Sequence, residues 1–248
     1  LYTHLLLKMV WTEETFKLVR DGIDASRLCR TVSLSQKWKK IVSERSSMIS
    51  IKNRSFDDIL DFITQQPFKW VVTGASGQLG ASYQEAFLEN GSFVIGLDII
   101  KSKKIDFYKK KYPNNYLFHK TDVTSKISIQ KALKKCIKIF GIPDVLVNNA
   151  AIDSPPASPA EENGPFEDYP EESWDKVLDV NLKGMFLSCQ VFGAAMASKK
   201  KGSIINVSSI YGLVSPDQSL YEYRRQKGEA FYKPVAYSAS KSGVLNLT

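Results

Sequence analysis

From Phe68 onward, short apolar runs alternate with stretches of helical period. "FKWVVTG", "SFVIGLD", "YLFHKTDV", "DVLVNNA" and "GSIINVSS" are brief and apolar, and each predicts a strand. "LGASYQEAFLENG", a lysine-rich stretch after Asp98, "SKISIQKALKKCIKIFG" and "SWDKVLDVNLKGMFLSCQVFGAAMASKK" predict the helices between them. In the third of these, Ile129, Ala132, Leu133, Cys136, Ile137 and Phe140 form one apolar face. Lys131, Lys134, Lys135 and Lys138 occupy the other side, and Gly141 marks the stop. Strand–helix alternation at this pitch predicts an α/β fold with a doubly wound parallel sheet, whose ligands bind at the carboxyl ends of its strands.

Residues 1–66 read differently. "SFDDILDFITQQP" predicts a short helix with Ser55 as N-cap and Pro67 as stop, and "TEETFKLVRDG" another that ends at Gly22. No catalytic constellation falls here, and His4 stands alone. The expectation is a mainly helical segment of unknown role, or the tail of another domain, ahead of an α/β domain over 67–248.

Composition narrows the partners. The net charge of +8 is concentrated between Lys101 and Lys138, where twelve lysines face only Asp106 and Asp122. The amphipathic helix accounts for much of this excess as a solvated face, and seven acids without a base offset it over 161–175. A nucleic-acid partner is not expected. No apolar run reaches the length of a membrane span. Cys29, Cys136 and Cys189 are odd in number and far apart, which excludes a disulfide framework and a zinc site and points to a cytoplasmic protein.

Candidate chemistry begins at "TGASGQLG", between the first strand and first helix. Gly74 permits a tight turn, Gly77 lets backbone approach a pyrophosphate, and Gly80 lets helix pack on strand. The helix N-terminus offers free N–H groups to phosphates. Asp98 closes the second strand, where its carboxylate can accept from both adenosine ribose hydroxyls and repel a 2′-phosphate. NAD is therefore favoured over NADP, with Lys101, Lys103 and Lys104 close by. Near the other end, Tyr237 and Lys241 stand one helical turn apart on one face.

Taken in order, "TGASGQLG", Asp98, "TDV" at 121–123, "NNAA" at 148–151, Asn181 in "DVNLKG", "NVSS" at 206–209 and "YSASK" at 237–241 make residues 68–248 resemble the short-chain dehydrogenase/reductase family. The resemblance implies a Rossmann domain, a small-molecule substrate and a homo-oligomer, dimer or tetramer. It implies cofactor contacts from Thr73, Gly74, Ser76, Gly77, Leu79, Gly80, Asp98, Asp122, Val123, Asn148, Ala150, Tyr237 and Lys241. It also implies a catalytic tetrad of Asn181, Ser209, Tyr237 and Lys241. The chemistry suits those roles. A phenol holds its proton to about pH 10 unless a nearby cation such as Lys241 favours the phenolate. Ser209 can then hold the substrate oxygen, and Asn181 a relay water.

Two features depart from the family pattern. The glycines read GxxGxxG, commoner in the extended branch of epimerases and dehydratases, whereas "NNAA", "NVSS" and Asn181 match the compact branch. The gap between Ser209 and Tyr237 is also long, and its "PDQSLYEYRRQKGEAFYKP" must emerge beside the active site. Paired Arg224 and Arg225 suit an anionic group, and with Tyr211 and Ser209 they are candidate substrate contacts. Together with "SPPASPAEENGPFEDYPEE", this insertion resembles bacterial members from surface-sugar pathways such as flagellin modification and nonulosonic acid synthesis. The expected activity is NAD-dependent oxidation of a secondary alcohol, or reduction of a ketone, in a sugar or other polar anionic metabolite. A sugar-nucleotide epimerase or dehydratase and a non-catalytic NAD-binding regulator are the alternatives. Family members continue past YxxxK with a further strand–helix pair and a last strand, so the domain is expected to be incomplete at Thr248.

Overall fold

The computed structural model describes residues 67–153, 163–229 and 231–248. The helical segment expected over 1–66 lies outside the described residues. Five strands form one sheet: β1 (Lys69–Thr73), β2 (Phe93–Asp98), β3 (Tyr116–Lys120), β4 (Val145–Asn148) and β5 (Ser203–Asn206). Every pairing is parallel and the spatial order is β3-β2-β1-β4-β5. The helical crossovers are α1 (Gln78–Glu89), α2 (Lys103–Lys111) and α3 (Lys126–Phe140), then α4 (Glu171–Leu178) and α5 (Gly184–Ser198). A single turn, α6 (Glu222–Arg225), precedes the long α7 (Val235–Leu247). This is the doubly wound α/β sheet that the alternation predicts. Among the described residues no helix is long and apolar enough to cross a membrane.

Alternation along the strands builds two cores. Trp70, Val72 and Val94 point to one face and pack with Tyr83, Phe87 and Leu88 of α1 and Ile105 and Tyr108 of α2. Val71, Ile95, Leu97 and Leu146 point to the other and meet Ile129, Ala132 and Cys136 of α3 and Val191, Phe192 and Met196 of α5. Trp70 stacks on Phe87 with ring centroids 3.8 Å apart. Ile137, at the margin of the predicted apolar face of α3, is left exposed.

Strand order reverses between β1 and β4, so the chain leaving their carboxyl ends diverges and opens a crevice. A buried polar strut braces the turn beside it. Gln84 of α1 donates through Nε2 to the carbonyls of Ala75 (2.6 Å) and Gly80 (2.9 Å), and its Oε1 accepts from the Tyr116 hydroxyl (2.8 Å). Since Gln84 is wholly buried, no water can replace a lost partner. Tyr116→Phe should therefore lower the unfolding free energy by about 1–3 kcal/mol, read as a shifted midpoint at unchanged slope in urea titrations. An unchanged midpoint would show that the strut contributes nothing.

Candidate active site

The glycine turn has the shape expected of it. Gly74 adopts φ +67°, and a Cβ there would lie 2.8 Å from the Cα of Ala150. A Cβ on Gly80 would lie 2.1 Å from the carbonyl oxygen of Gly74, so α1 is pressed against the turn. Gly77 is the N-cap of α1 and provides no side-chain cap, which leaves the leading N–H groups to a ligand. These features fit the pyrophosphate of a dinucleotide. Leu79, in the first turn of α1, is exposed beside them.

Asp98 is set by backbone donors. Its Oδ2 accepts from the Ser76 N–H (2.9 Å) and its Oδ1 from the Ile100 N–H (3.0 Å), which fixes the carboxylate at the end of β2. Ser76 also donates its hydroxyl to the Ile100 carbonyl (2.6 Å) and so ties the turn to the loop after β2. Thr73 has a bracing position. Its Oγ1 accepts from the N–H groups of Asn149 and Ala150, both at 3.0 Å, while Asn149 Nδ2 donates to the Thr73 carbonyl (3.0 Å). Asn149 is thus a site residue that motif matching alone leaves without a role.

Asp122 closes its own turn, accepting at Oδ1 from the N–H (2.8 Å) and hydroxyl (2.7 Å) of Thr124. Val123 is buried against Gly184, where a Cβ would come within 2.9 Å of Val123 Cγ2. Asn148 Nδ2 donates to Asn206 Oδ1 (2.8 Å) and so joins the ends of β4 and β5.

The four expected catalytic side chains come together at the carboxyl ends of β4 and β5. Ser209 follows β5; its Oγ accepts from the Tyr211 N–H (3.2 Å), and the hydroxyl lies near enough to the Tyr237 phenol to act on its pKa. Tyr237 lies in the first turn of α7 and Lys241 one turn later. Lys241 is 2% exposed and donates from Nζ to the Val207 carbonyl (2.7 Å). Asn181 is wholly buried and bridges three segments. Its Oδ1 accepts from the Ile152 N–H (2.7 Å), and its Nδ2 donates to the Ile152 carbonyl (2.9 Å) and to Ser240 Oγ (3.0 Å). The single helix expected over 173–200 runs on without interruption but widens to allow this. Residues Asp179–Lys183 form a π-helical turn between α4 and α5, and its wider winding turns Asn181 inward.

The electrostatics correct one expectation. Lys241 does not pull the Tyr237 phenol below its ordinary value: burial pushes Tyr237 up, the Ser209 hydrogen bond opposes this, and the Asp153 carboxylate adds to the rise. Desolvation outweighs attraction because Lys241 is itself stripped of water and anchored on Val207, with Nζ 5.8 Å from the Tyr237 ring centroid. Burial brings Lys241 down to about 8, and Asp153 partly offsets it.

The insertion places its cations differently from the sequence expectation. Arg224 pairs with Glu229 (2.6 Å) and lies over the Phe231 ring at 3.9 Å. Arg225 pairs with Glu222 (2.7 Å) and donates to the carbonyls of Phe231 (3.1 Å) and Gln218 (2.8 Å). The Arg225 guanidinium is thus occupied within the insertion, while Arg224 is held there through Nε alone. The cation laid against Tyr237 is instead Lys233, 4.9 Å from the ring centroid and ion-paired with Asp153. Tyr211 reaches across the insertion to the Tyr221 hydroxyl (3.1 Å). Lys233 precedes Tyr237 by the same four residues that separate Tyr237 from Lys241, a signal visible in the sequence. Asp153 carries no motif signal of its own.

Comparison with known proteins agrees with this geometry. The short chain dehydrogenase family profile matches residues 69–223 and ends before Tyr237. An NAD-dependent glycerol dehydrogenase from Listeria innocua serovar 6a is 33% identical over 178 residues, covering 72% of this chain and 61% of the relative. A 3-oxoacyl-[acyl-carrier-protein] reductase from Thermotoga maritima is 31% identical over 181 residues, covering 72% of this chain and 64% of the relative. The chain therefore spans less than two thirds of the length of these relatives. A crystal structure of a short-chain dehydrogenase from Streptomyces avermitilis superposes with a TM-score of 0.60 at 26% identity, covering 73% of this chain and 58% of that one. With a family match over most of the described sheet and a glycine turn pressed between β1, α1 and β4, this chain belongs to the short-chain dehydrogenase family.

Proposed function

We propose that the protein is an NAD-dependent oxidoreductase that interconverts a secondary alcohol and a ketone on a polar, hydroxylated metabolite. The observation that supports this reading is the meeting of Ser209, Tyr237, Lys241 and Asn181 around the carboxyl ends of β4 and β5. NAD, held by the turn and by Asp98, would supply the acceptor or donor of the hydride. Ser209 anchors the substrate oxygen, and Tyr237 takes or returns its proton at Oη. Lys241 holds positive charge within one turn of the phenol, and Asn181 fixes the loop after β4 against α7. Preference for NAD is supported by the surroundings of Asp98, where Lys101 pairs with Asp106 and Lys104 lies 3.8 Å from Glu85.

Removing the phenolic proton donor tests the mechanism directly. Tyr237→Phe should lower the turnover of a secondary alcohol, followed as NADH absorbance, by about 10²–10⁴-fold. Turnover that persists at the wild-type rate would remove Tyr237 from the chemistry. The ribose site has its own test, since Asp98→Asn keeps an acceptor and loses the charge. The ratio of kcat/KM for NAD to that for NADP should fall about tenfold or more, and an unchanged ratio would refute the role of Asp98.

Lys241 also leaves a mark on stability. Its pKa is about 8 in the folded chain against an ordinary 10.5. Between those values the unfolded chain binds the extra proton, so this group raises stability as pH rises from 8. Tyr237 works oppositely above pH 10.0, because the folded phenol keeps a proton that the unfolded one releases. Urea titrations from pH 7 to 10 should show wild type gaining stability relative to Lys241→Met as the pH passes 8. Parallel curves for the two proteins would show that Lys241 is not titrated in this range.

A further inference from the structure

Asp153 and Lys233 meet beside Tyr237, although they are eighty residues apart and belong to the loop after β4 and the segment entering α7. Each is held by a separate clamp. Asn181 grips both backbone groups of Ile152, the neighbour of Asp153. Gln218 grips both backbone groups of Lys233, accepting its N–H at Oε1 (2.9 Å) and donating from Nε2 to its carbonyl (3.0 Å). The Lys233 ammonium lies 4.9 Å from the Tyr237 ring centroid and 5.9 Å from that of Tyr211.

The pair is only partly satisfied. Asp153 Oδ2 takes the ammonium, while Oδ1 is shielded from solvent with no partner among the described residues. An ammonium has three N–H donors, and one bond to Asp153 leaves donors in excess. The carboxylate also acts on the reacting groups themselves, since its charge raises Tyr237 and Tyr221 and opposes the fall of Lys241. Beside the Tyr237 ring the pair thus places one anionic acceptor and one cationic donor, which cancel each other's charge. A hydroxyl is the group that can donate to the first and accept from the second at once. A substrate carboxylate or phosphate placed there would meet Asp153, and Arg225 is occupied elsewhere.

We propose that Asp153 and Lys233 read a hydroxyl adjacent to the reacting carbinol, which makes the substrate a neutral vicinal polyol or hydroxyketone. The proposal rests on the dehydrogenase reading above. Steady-state kinetics with NAD test it on two alcohols that share a reacting carbinol, 2,3-butanediol and 2-butanol, and on 3-hydroxybutyrate as the anion. Wild type should prefer the diol to both. Asp153→Ala and Lys233→Met should each lower the ratio of kcat/KM for the diol to that for 2-butanol by about tenfold. Because the ratio is taken within one protein, general loss of folding or cofactor affinity cancels. A ratio unchanged in both variants would make the pair a mere staple between loop and helix, and would leave the dehydrogenase reading intact. A wild-type preference for 3-hydroxybutyrate would overturn the neutral-polyol assignment. If wild type, like Tyr237→Phe, reduces no NAD with any of the three, the dehydrogenase reading falls and this proposal with it.

Discussion

The site depends on how closely the backbone leaving β1 can approach the backbone leaving β4. These strands are neighbours but their connections run in opposite directions, so the crevice between them would widen unless something held it. Gly74 makes the approach sterically possible, because its left-handed φ and missing side chain admit Ala150. Thr73 and Asn149 then lock it with reciprocal hydrogen bonds across the gap. Everything that would touch a dinucleotide is referenced to this junction. The turn carries Ser76 to Asp98 on one side, while β4 carries Ile152 to Asn181 on the other. Thr73, expected as a cofactor contact, also fixes these two segments against each other through its hydroxyl.

Beyond that junction the site is assembled from buried polar groups that each need a specific partner. Asn181 has three, drawn from the loop after β4 and from α7, and their geometry is satisfied only because the helix widens by one residue at that point. Lys241 shows the same economy at higher cost. Burial disfavours its charge and brings its pKa down to about 8, the Asp153 carboxylate offsetting only part of the fall, while Nζ is anchored on the Val207 carbonyl. A lysine so placed is near its titration point at mildly alkaline pH. Its influence on Tyr237 therefore depends on what else enters the site, and a cationic nicotinamide ring would act on the phenol where Lys241 alone does not.

What could be read from the sequence was whatever leaves a local or periodic trace. Strands β1 to β5, helices α1 to α3, and the glycine turn were legible because burial on two faces, amphipathic period and glycine spacing are written along contiguous residues. The π-helical turn at Asp179–Lys183 was not, because it answers to Ile152 and Ser240, 29 and 59 residues from Asn181. That Asn181, Ser209, Tyr237 and Lys241 lie in one region was expected only from their order along the chain, since spacing alone does not bring Ser209 to Tyr237. Lys241 alone does not bring the Tyr237 pKa down for a related reason: attraction can be guessed from a four-residue spacing, but desolvation is a property of the packed surroundings.

The insertion shows why charge counts in a loop are a poor guide to what faces a ligand. Arg224 and Arg225 are the conspicuous cations there, yet a short helical turn rich in glutamate and aromatics offers them nearby partners. A guanidinium with five donors is satisfied most readily by a cluster of local acceptors, and once so engaged it braces the loop. Lys233 is less conspicuous but sits where the chain is already constrained, between the Gln218 clamp and Pro234 at the start of α7. Little conformational freedom remains to be lost when it meets Asp153. The arginines thus brace the insertion, and the braced insertion delivers a lysine to the edge of the Tyr237 ring.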